Sequence, residues 1–208
     1  MGDRRVGDRG MGTVRAYRPG DLPSLYAICR RTGDNGADAT TLYRDPTLLG
    51  HYYVAPYARL EPDLCFVLEQ QGAVTGYILG TRDSSRFADR CAREWFPQLQ
   101  TRYPLPAADD TSPDAALIRL FYQATPADPL WAEYPAHLHI DLLPVAQGQG
   151  WGRALMARFL AQLRAANVQG VHLGVATANP GAIAFYTRMG FDTLRADEET
   201  QVLGLRWA

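Results

Sequence analysis

The segment Gln147-Gly148-Gln149-Gly150-Trp151-Gly152-Arg153 carries three glycines at alternate positions just ahead of an amphipathic run. Glycine lets the backbone turn tightly and bring uncovered N–H groups close to a ligand. Where such a turn opens a helix, unpaired N–H groups and the positive end of the helix dipole together suit a diphosphate. Arg153 falls in the first helical turn, where a cation opposes the dipole unless an anion lies beside it. The segment lacks the Lys-Ser/Thr of a P-loop, and its spacing is not that of a dinucleotide fingerprint. Read alone, it is a phosphate cradle or a plain strand-to-helix turn.

A second segment, Asn179 to Phe191, has its own physical logic. Asn179 can cap a helix, Pro180 suits its first position and Gly190 its C-terminal end. Ala182, Phe185, Tyr186 and Met189 then share one face. Tyr186 is on that basis a core aromatic, or a phenol turned toward a ligand.

The elements that would position these segments follow from periodicity. Thr13–Arg18 alternates into a strand, and Asp21 can cap a helix running to about Arg31. The stretch from Thr32 to Thr41 is loop, and 42–60 should hold one or two short helices. Leu64–Gln70 and Val74–Thr81 predict a hairpin across Gln71-Gly72-Ala73. Ser84–Gln100 predicts one helix, with Phe87, Cys91, Trp95 and Leu99 recurring every fourth residue. Pro113–Gln123 predicts another short helix between two Pro-rich connections. From 136 onward the pattern is regular: strand His137–Leu143, helix Gly150–Ala166, strand Val171–Ala176, helix Pro180–Met189 and strand Val202–Trp207. Strands alternating with helices point to an α/β sheet.

With those elements in place, Leu142-Leu143-Pro144-Val145-Ala146-Gln147-Gly148-Gln149-Gly150-Trp151-Gly152 resembles the Q/R-x-x-G-x-G/A signature of the GNAT acetyltransferase superfamily. Asn179 to Phe191 resembles its other hallmark, N-x-x-A-x-x-F/L-Y-x-x-x-G-F. One helix and one strand separate the two motifs, as in that family. The resemblance implies an α/β (α+β) GNAT fold: a mixed, mostly antiparallel twisted sheet of about six to seven strands, flanked by helices and splayed at the coenzyme site. It implies acetyl-CoA as co-substrate and direct attack by a primary amine in a ternary complex. Leu142, Leu143 and Val145 then belong to the pantetheine side, and Gly148, Gln149, Gly150, Trp151, Gly152 and Arg153 to the pyrophosphate. Asn179 contacts the pantetheine, and Tyr186 is the general acid to the leaving thiolate.

The base is less determined. His137, His139 and Asp141 alternate with Leu138, Ile140 and Leu142, which places three polar groups on one strand face. They line the acceptor side, with Asp141 or His139 as base or amine anchor, or they form a hydrogen-bonded support for the sheet. A bulge, common in this strand of GNAT proteins, would flip the alternation. The His-x-His pair stands one residue out of register with that of the arylalkylamine acetyltransferases, so their role does not carry over. Glu133, Tyr134, Asp34 and Asp38 are further candidates, each more simply read as a solvated loop residue.

An insertion near 84–135, the Cys29-Arg30-Arg31…Asp34-Asn35-Gly36 loop and the His137–Pro144 strand are similar to the acetyltransferase-like domain of animal O-GlcNAcases and its bacterial relatives. That likeness leaves the acceptor open. It also keeps an alternative in view, a catalytically weak or inactive acetyl-CoA-binding or interaction module.

The chain has 208 residues, 47% hydrophobic and 21% charged, and a formal net charge of −1. These values suit one globular domain over 13–208 and give no reason to expect nucleic acid or an anionic membrane as partner. All its basic residues are arginine. Cys29, Cys65 and Cys91 are odd in number and lack metal-ligand spacing, so a reducing, cytoplasmic setting with no metal is expected. Residues 1–12, rich in Gly, Arg and Asp, read as disordered or as a product of start-site choice. The protein is expected to act as a monomer or homodimer.

Overall fold

The computed structural model describes residues 12–207. The expectation of disorder over the first dozen residues therefore lies outside the described residues, except that Gly12 opens the first strand.

Seven strands form one sheet in the order β1-β2-β3-β4-β5-β7-β6. They are β1 (Gly12–Ala16), β2 (Phe66–Gln70), β3 (Ala73–Thr81), β4 (Ala136–Leu142), β5 (Gly170–Ala176), β6 (Asp192–Ala196) and β7 (Thr200–Arg206). Every neighbouring pair is antiparallel except β4 and β5. Those two run parallel and pair at only two positions, Ala136 with Val171 and His137 with His172. Beyond them the strands part, which is the splay expected of the GNAT fold.

Helices α1 (Leu22–Thr32), α2 (Leu48–Tyr53), α3 (Ala55–Leu60), α4 (Ser84–Arg90), α5 (Phe96–Arg102) and α6 (Pro113–Leu120) contribute to a core on one face. That core takes the odd residues of the central strands, Val67, Tyr77 and Leu79. Helices α7 (Trp151–Ala165) and α8 (Pro180–Arg188) cover the other face, against Phe66, Leu68, Ile78 and Leu138. Leu155, Met156, Phe159, Leu160 and Leu163 give α7 its apolar stripe. Gly80 is what lets it settle, because a Cβ there would run into the Phe159 ring.

Several local expectations are corrected. Asp21 does not cap α1 with its side chain. Instead it accepts two hydrogen bonds from Arg15, both at 2.8 Å, and one from the Arg18 amide at 2.7 Å. Ser84–Gln100 is not one regular helix: a π-helical turn, Cys91–Trp95, separates α4 from α5. Pro97 explains it, since proline removes a helical N–H and its ring clashes with the carbonyl four residues earlier. Strand β6 was not foreseen; its sequence, DTLRA, is mostly exposed at the sheet edge and so carries no alternating signal. No bulge interrupts β4, which pairs with β3 in unbroken register from His137 to Leu142. The inferred alternation along β4 therefore stands.

Candidate functional site

The splay opens a cleft of about 810 Å3 between β4 and β5, floored by the turn into α7 and walled by α8. Its phosphate-facing end is the glycine turn. Gly148 and Gly150 sit at φ +72° and +83°, with open space where a Cβ would stand. The backbone amides from Gly148 to Arg153 have no acceptor among the described residues, and no side chain caps α7. Arg153 lines the cleft from one side and Arg188, in the last turn of α8, from the other. Neither forms a salt bridge with a described carboxylate. Uncovered amides, a helix start and two free guanidinium groups fit a diphosphate.

Most of the expected coenzyme residues come together there. Leu142, Gly148, Gly150, Trp151, Gly152, Arg153 and Asn179 line the cleft, and so do Tyr186 and Asp141. Three do not. Leu143 packs into the core on the α1 face, and its amide donates to the Thr75 carbonyl at 2.9 Å. Val145 points outward and is 66% exposed. Gln149 folds its amide back onto the Val145 carbonyl at 2.7 Å and accepts from the Trp151 indole at 3.3 Å, so it braces the turn. The Leu142 carbonyl is also engaged, by Gln147 at 2.9 Å.

Asn179 caps α8 as expected, its Oδ1 accepting from the Ala182 amide at 3.0 Å. Its Nδ2 donates to the Asn35 carbonyl at 2.9 Å, which ties the early loop to α8. One N–H of that amide remains for a ligand. The early loop thus contributes Asn35 and Gly36 to the cleft, where sequence reasoning had singled out Asp34 and Asp38. The Asn-Gly pair, both at positive φ, was the available signal. Asp38 is spent on the Thr40 amide, and Asp34 lies in a small loop bridge with Ala37. Glu133 pairs with Arg206, and the Tyr134 carbonyl is bonded to His172.

Tyr186 is buried between Phe185 and Phe191, with ring centroids 5.3 and 5.6 Å away. No described residue accepts its hydroxyl proton or donates to it, so the picture of a satisfied core phenol does not hold. Burial, and then the negative charge of Asp141, push its pKa above the ordinary phenol value. It remains a proton donor across the neutral range.

The polar row of β4 is packed against tyrosines. Asp141 accepts from the buried Tyr77 hydroxyl at 2.6 Å. Burial raises its pKa above 3.8, opposed by the hydrogen bond from Tyr77. The Tyr57 hydroxyl lies 2.7 Å from His137 Nε2 and 3.1 Å from His139 Nε2. Burial holds both rings neutral, with the His139 pKa pushed down to about 4. Tyr57 and Tyr77 were invisible as partners in the sequence, because hydroxyl contacts across elements leave no local pattern.

Residues 37–191 match the Acetyltransferase (GNAT) family. The chain belongs to that family. Among curated proteins it is similar to protein O-GlcNAcase of Rattus norvegicus, 30% identical over 181 residues that make up 86% of this chain. The chain spans only 20% of the length of that relative. Among solved structures, SsHAT is 42% identical with a TM-score of 0.88, covering 94% of this chain and 98% of its own. The yncA protein of Salmonella typhimurium, solved with its cofactor acetyl-CoA, shares the fold at 14% identity and a TM-score of 0.55, over 94% of this chain and 93% of its own. The GNAT assignment and the likeness to the acetyltransferase-like region of O-GlcNAcase therefore both hold. Among the described residues of this GNAT protein, no helix is long and apolar enough to cross a membrane. Nor does any group of three or more His, Cys, Asp or Glu stand ready to hold a metal.

Two outcomes check this geometry. Gly150→Val puts a branched side chain into a left-handed conformation and into the mouth of the cradle. It should weaken acetyl-CoA binding by at least about 10-fold in calorimetry, or about 1.4 kcal/mol, while the helical circular dichroism persists. Wild-type affinity in that variant would remove the cradle assignment. Separately, His139 binds its proton less tightly folded (about 4) than unfolded (6.5). Stability should therefore be intact above pH 6.5 and fall as pH drops toward 4, by on the order of 3 kcal/mol from this group. Asp141 works in the opposite sense, so the comparison is between wild type and His139→Gln, in which the melting temperature should fall less steeply over that window.

Proposed function

We propose that the protein moves an acetyl group from acetyl-CoA to a primary amine by direct attack, with both bound at once. The observation that carries this reading is the unpartnered Tyr186 hydroxyl, which faces the same cleft as the glycine cradle and the Asp141 carboxylate. The cradle and its two arginines hold the pyrophosphate, and the unpaired edges of β4 and β5 receive the pantetheine arm.

The amine must be neutral to attack. Asp141 takes the proton that the nitrogen gives up, and its raised pKa makes it a better base than an exposed carboxylate. A C–N bond forms, the C–S bond breaks, and the departing sulfur receives the Tyr186 proton. Solvent then reprotonates Tyr186 and accepts the proton from Asp141, so the charges balance over one turnover. Tyr77 keeps Asp141 oriented through its 2.6 Å hydrogen bond.

Thiol release from acetyl-CoA over a panel of primary amines tests the reading, beside calorimetry with acetyl-CoA. Binding with no turnover on any amine would instead support a coenzyme-binding module. Where turnover is found, Tyr186→Phe should lower kcat by about 10- to 10³-fold with little change in acetyl-CoA affinity. Asp141→Asn should lower kcat by about 10²- to 10⁴-fold. The wild-type rate should rise with pH through an apparent pKa above the usual 3.8 of aspartate, and that limb should vanish in Asp141→Asn. An unchanged kcat in either variant removes that residue from its role.

A further inference from the structure

A second cavity, of about 240 Å3, lies on the α1 face of the sheet. Its walls are Tyr52 and Tyr53 from α2, Phe87 from α4, Cys91 and Phe96 around the π-helical turn, and Trp131 from the connection before β4. His137 and His139 form its polar floor. His139 lines this cavity and the coenzyme cleft alike. No carboxylate and no guanidinium lines it, so nothing in its wall pairs with a phosphate or a polyamine.

Proton counting gives the floor a direction. Ser84 Oγ lies 2.7 Å from the Pro135 carbonyl, which can only accept, so the single Ser84 proton goes there. Ser84 Oγ also lies 2.7 Å from His137 Nδ1, so that nitrogen must be the donor. The neutral His137 then has a bare Nε2, which accepts from the Tyr57 hydroxyl. With its own proton spent, Tyr57 accepts from His139 Nε2–H. His139 Nδ1 is left as a bare lone pair, and no described residue donates to it.

We infer that this cavity is the acceptor pocket, taking the ring or compact apolar body of a small primary amine, whose N–H donates to His139 Nδ1 at the junction with the coenzyme cleft. The inference rests on the acetyl-transfer reading above and supplies its substrate class. At about 30 Å3 per water the space equals about eight waters, the size of a one-ring amine. Six aromatic side chains, Tyr57 among them, offer it edge-to-face and stacked contacts, and they can bind an ammonium form through their π faces before the proton leaves. The bound nitrogen keeps its lone pair free for attack, and the proton it gives up passes through water to Asp141, about 7 Å further along the same strand face. The inference also gives a purpose to the segment 84–135. Its helices and loop supply the walls, and the π-helical turn sets Cys91 and Phe96 in them; such turns are frequent at functional sites.

The probes are benzylamine and methylamine, with Ala88→Leu and Thr125→Trp as variants. Ala88 lines the cavity, and Thr125 belongs to an exposed loop at its mouth, where substitution does not threaten the fold. In thiol-release assays the ratio of kcat/KM for benzylamine to that for methylamine should fall at least 10-fold in both variants. An unchanged ratio in both overturns the pocket. Should no amine turn over, acetyl transfer fails while the pocket is still tested directly. Saturation-transfer NMR of benzylamine on the coenzyme A-saturated protein should give a signal that both variants lose. A wild-type protein without that signal, or variants that retain it, would overturn the inference.

Discussion

Two residue pairs hold β4 to β5, and the cleft between these strands depends on their being only two. Sheet strands normally satisfy one another's backbone groups along their length, and a parted pair leaves N–H and C=O groups facing open space. Ladders on the far sides keep both strands fixed: β4 runs in register along β3, and β5 along β7 over its whole length. The gap is thus rigid, cut between two intact half-sheets. A ligand with amide groups of its own can complete those edges without disturbing either half. The glycine turn lies at the end of the gap because the chain leaves β4 there and must enter α7 at once.

The second constraint is neutrality. Three ionisable side chains on a central strand would be costly if charged in so enclosed a place. The structure meets this with tyrosines from other elements: Tyr57 from α3 serves both histidines, and Tyr77 from β3 serves Asp141. Each hydroxyl satisfies a polar atom without adding charge. The hydrogen-bonded support that the residues allowed is present, and the proposed chemistry draws on the same row. Hydrogen bonding fixes the rings and carboxylate in place, and desolvation shifts their proton affinities in opposite directions, down for the imidazoles and up for the acid.

What was legible in the sequence follows from how local its cause is. The cradle, the capped start of α8 and the face shared by Phe185 and Tyr186 are set by residues within a turn or two, and the structure places them as read. Alternation along β4 was legible because it obeys the pleat. The family pattern supplied the splay and the antiparallel order, which periodicity alone does not contain. Contacts between distant segments were illegible: Asn179 to Asn35, Tyr57 to the histidines, Arg188 across from Arg153. So was edge strand β6, which buries too little to carry a pattern. Leu143 was misplaced because the next strand, through the Thr75 carbonyl, captures its amide before any ligand can. The break in the helix expected over 84–100 was missed; Pro97 was the signal for it, though not for its π form.

The two cavities meet at His139 for a reason inherent in a strand. Successive side chains on β4 point to opposite faces, so one strand can present its even residues to one compartment and its odd residues to the other. Leu138, Ile140 and Leu142 look toward the α7 side, while His137, His139 and Asp141 look toward the α1 side. An acyl group held in the splay is exposed past the edge of β4 to both. A nucleophile can then approach from the α1 side while the leaving sulfur and Tyr186 remain on the other. In the proposed transfer the amine adds to one face of the thioester carbonyl and the sulfur leaves as the tetrahedral adduct collapses. Nucleophile and thiol donor on separate sides therefore do not compete for space, and that separation comes from strand alternation together with an unpaired edge. The extra helices near 84–135 do not alter that arrangement; they close a space over one half of it, and the proposed acceptor pocket is that space.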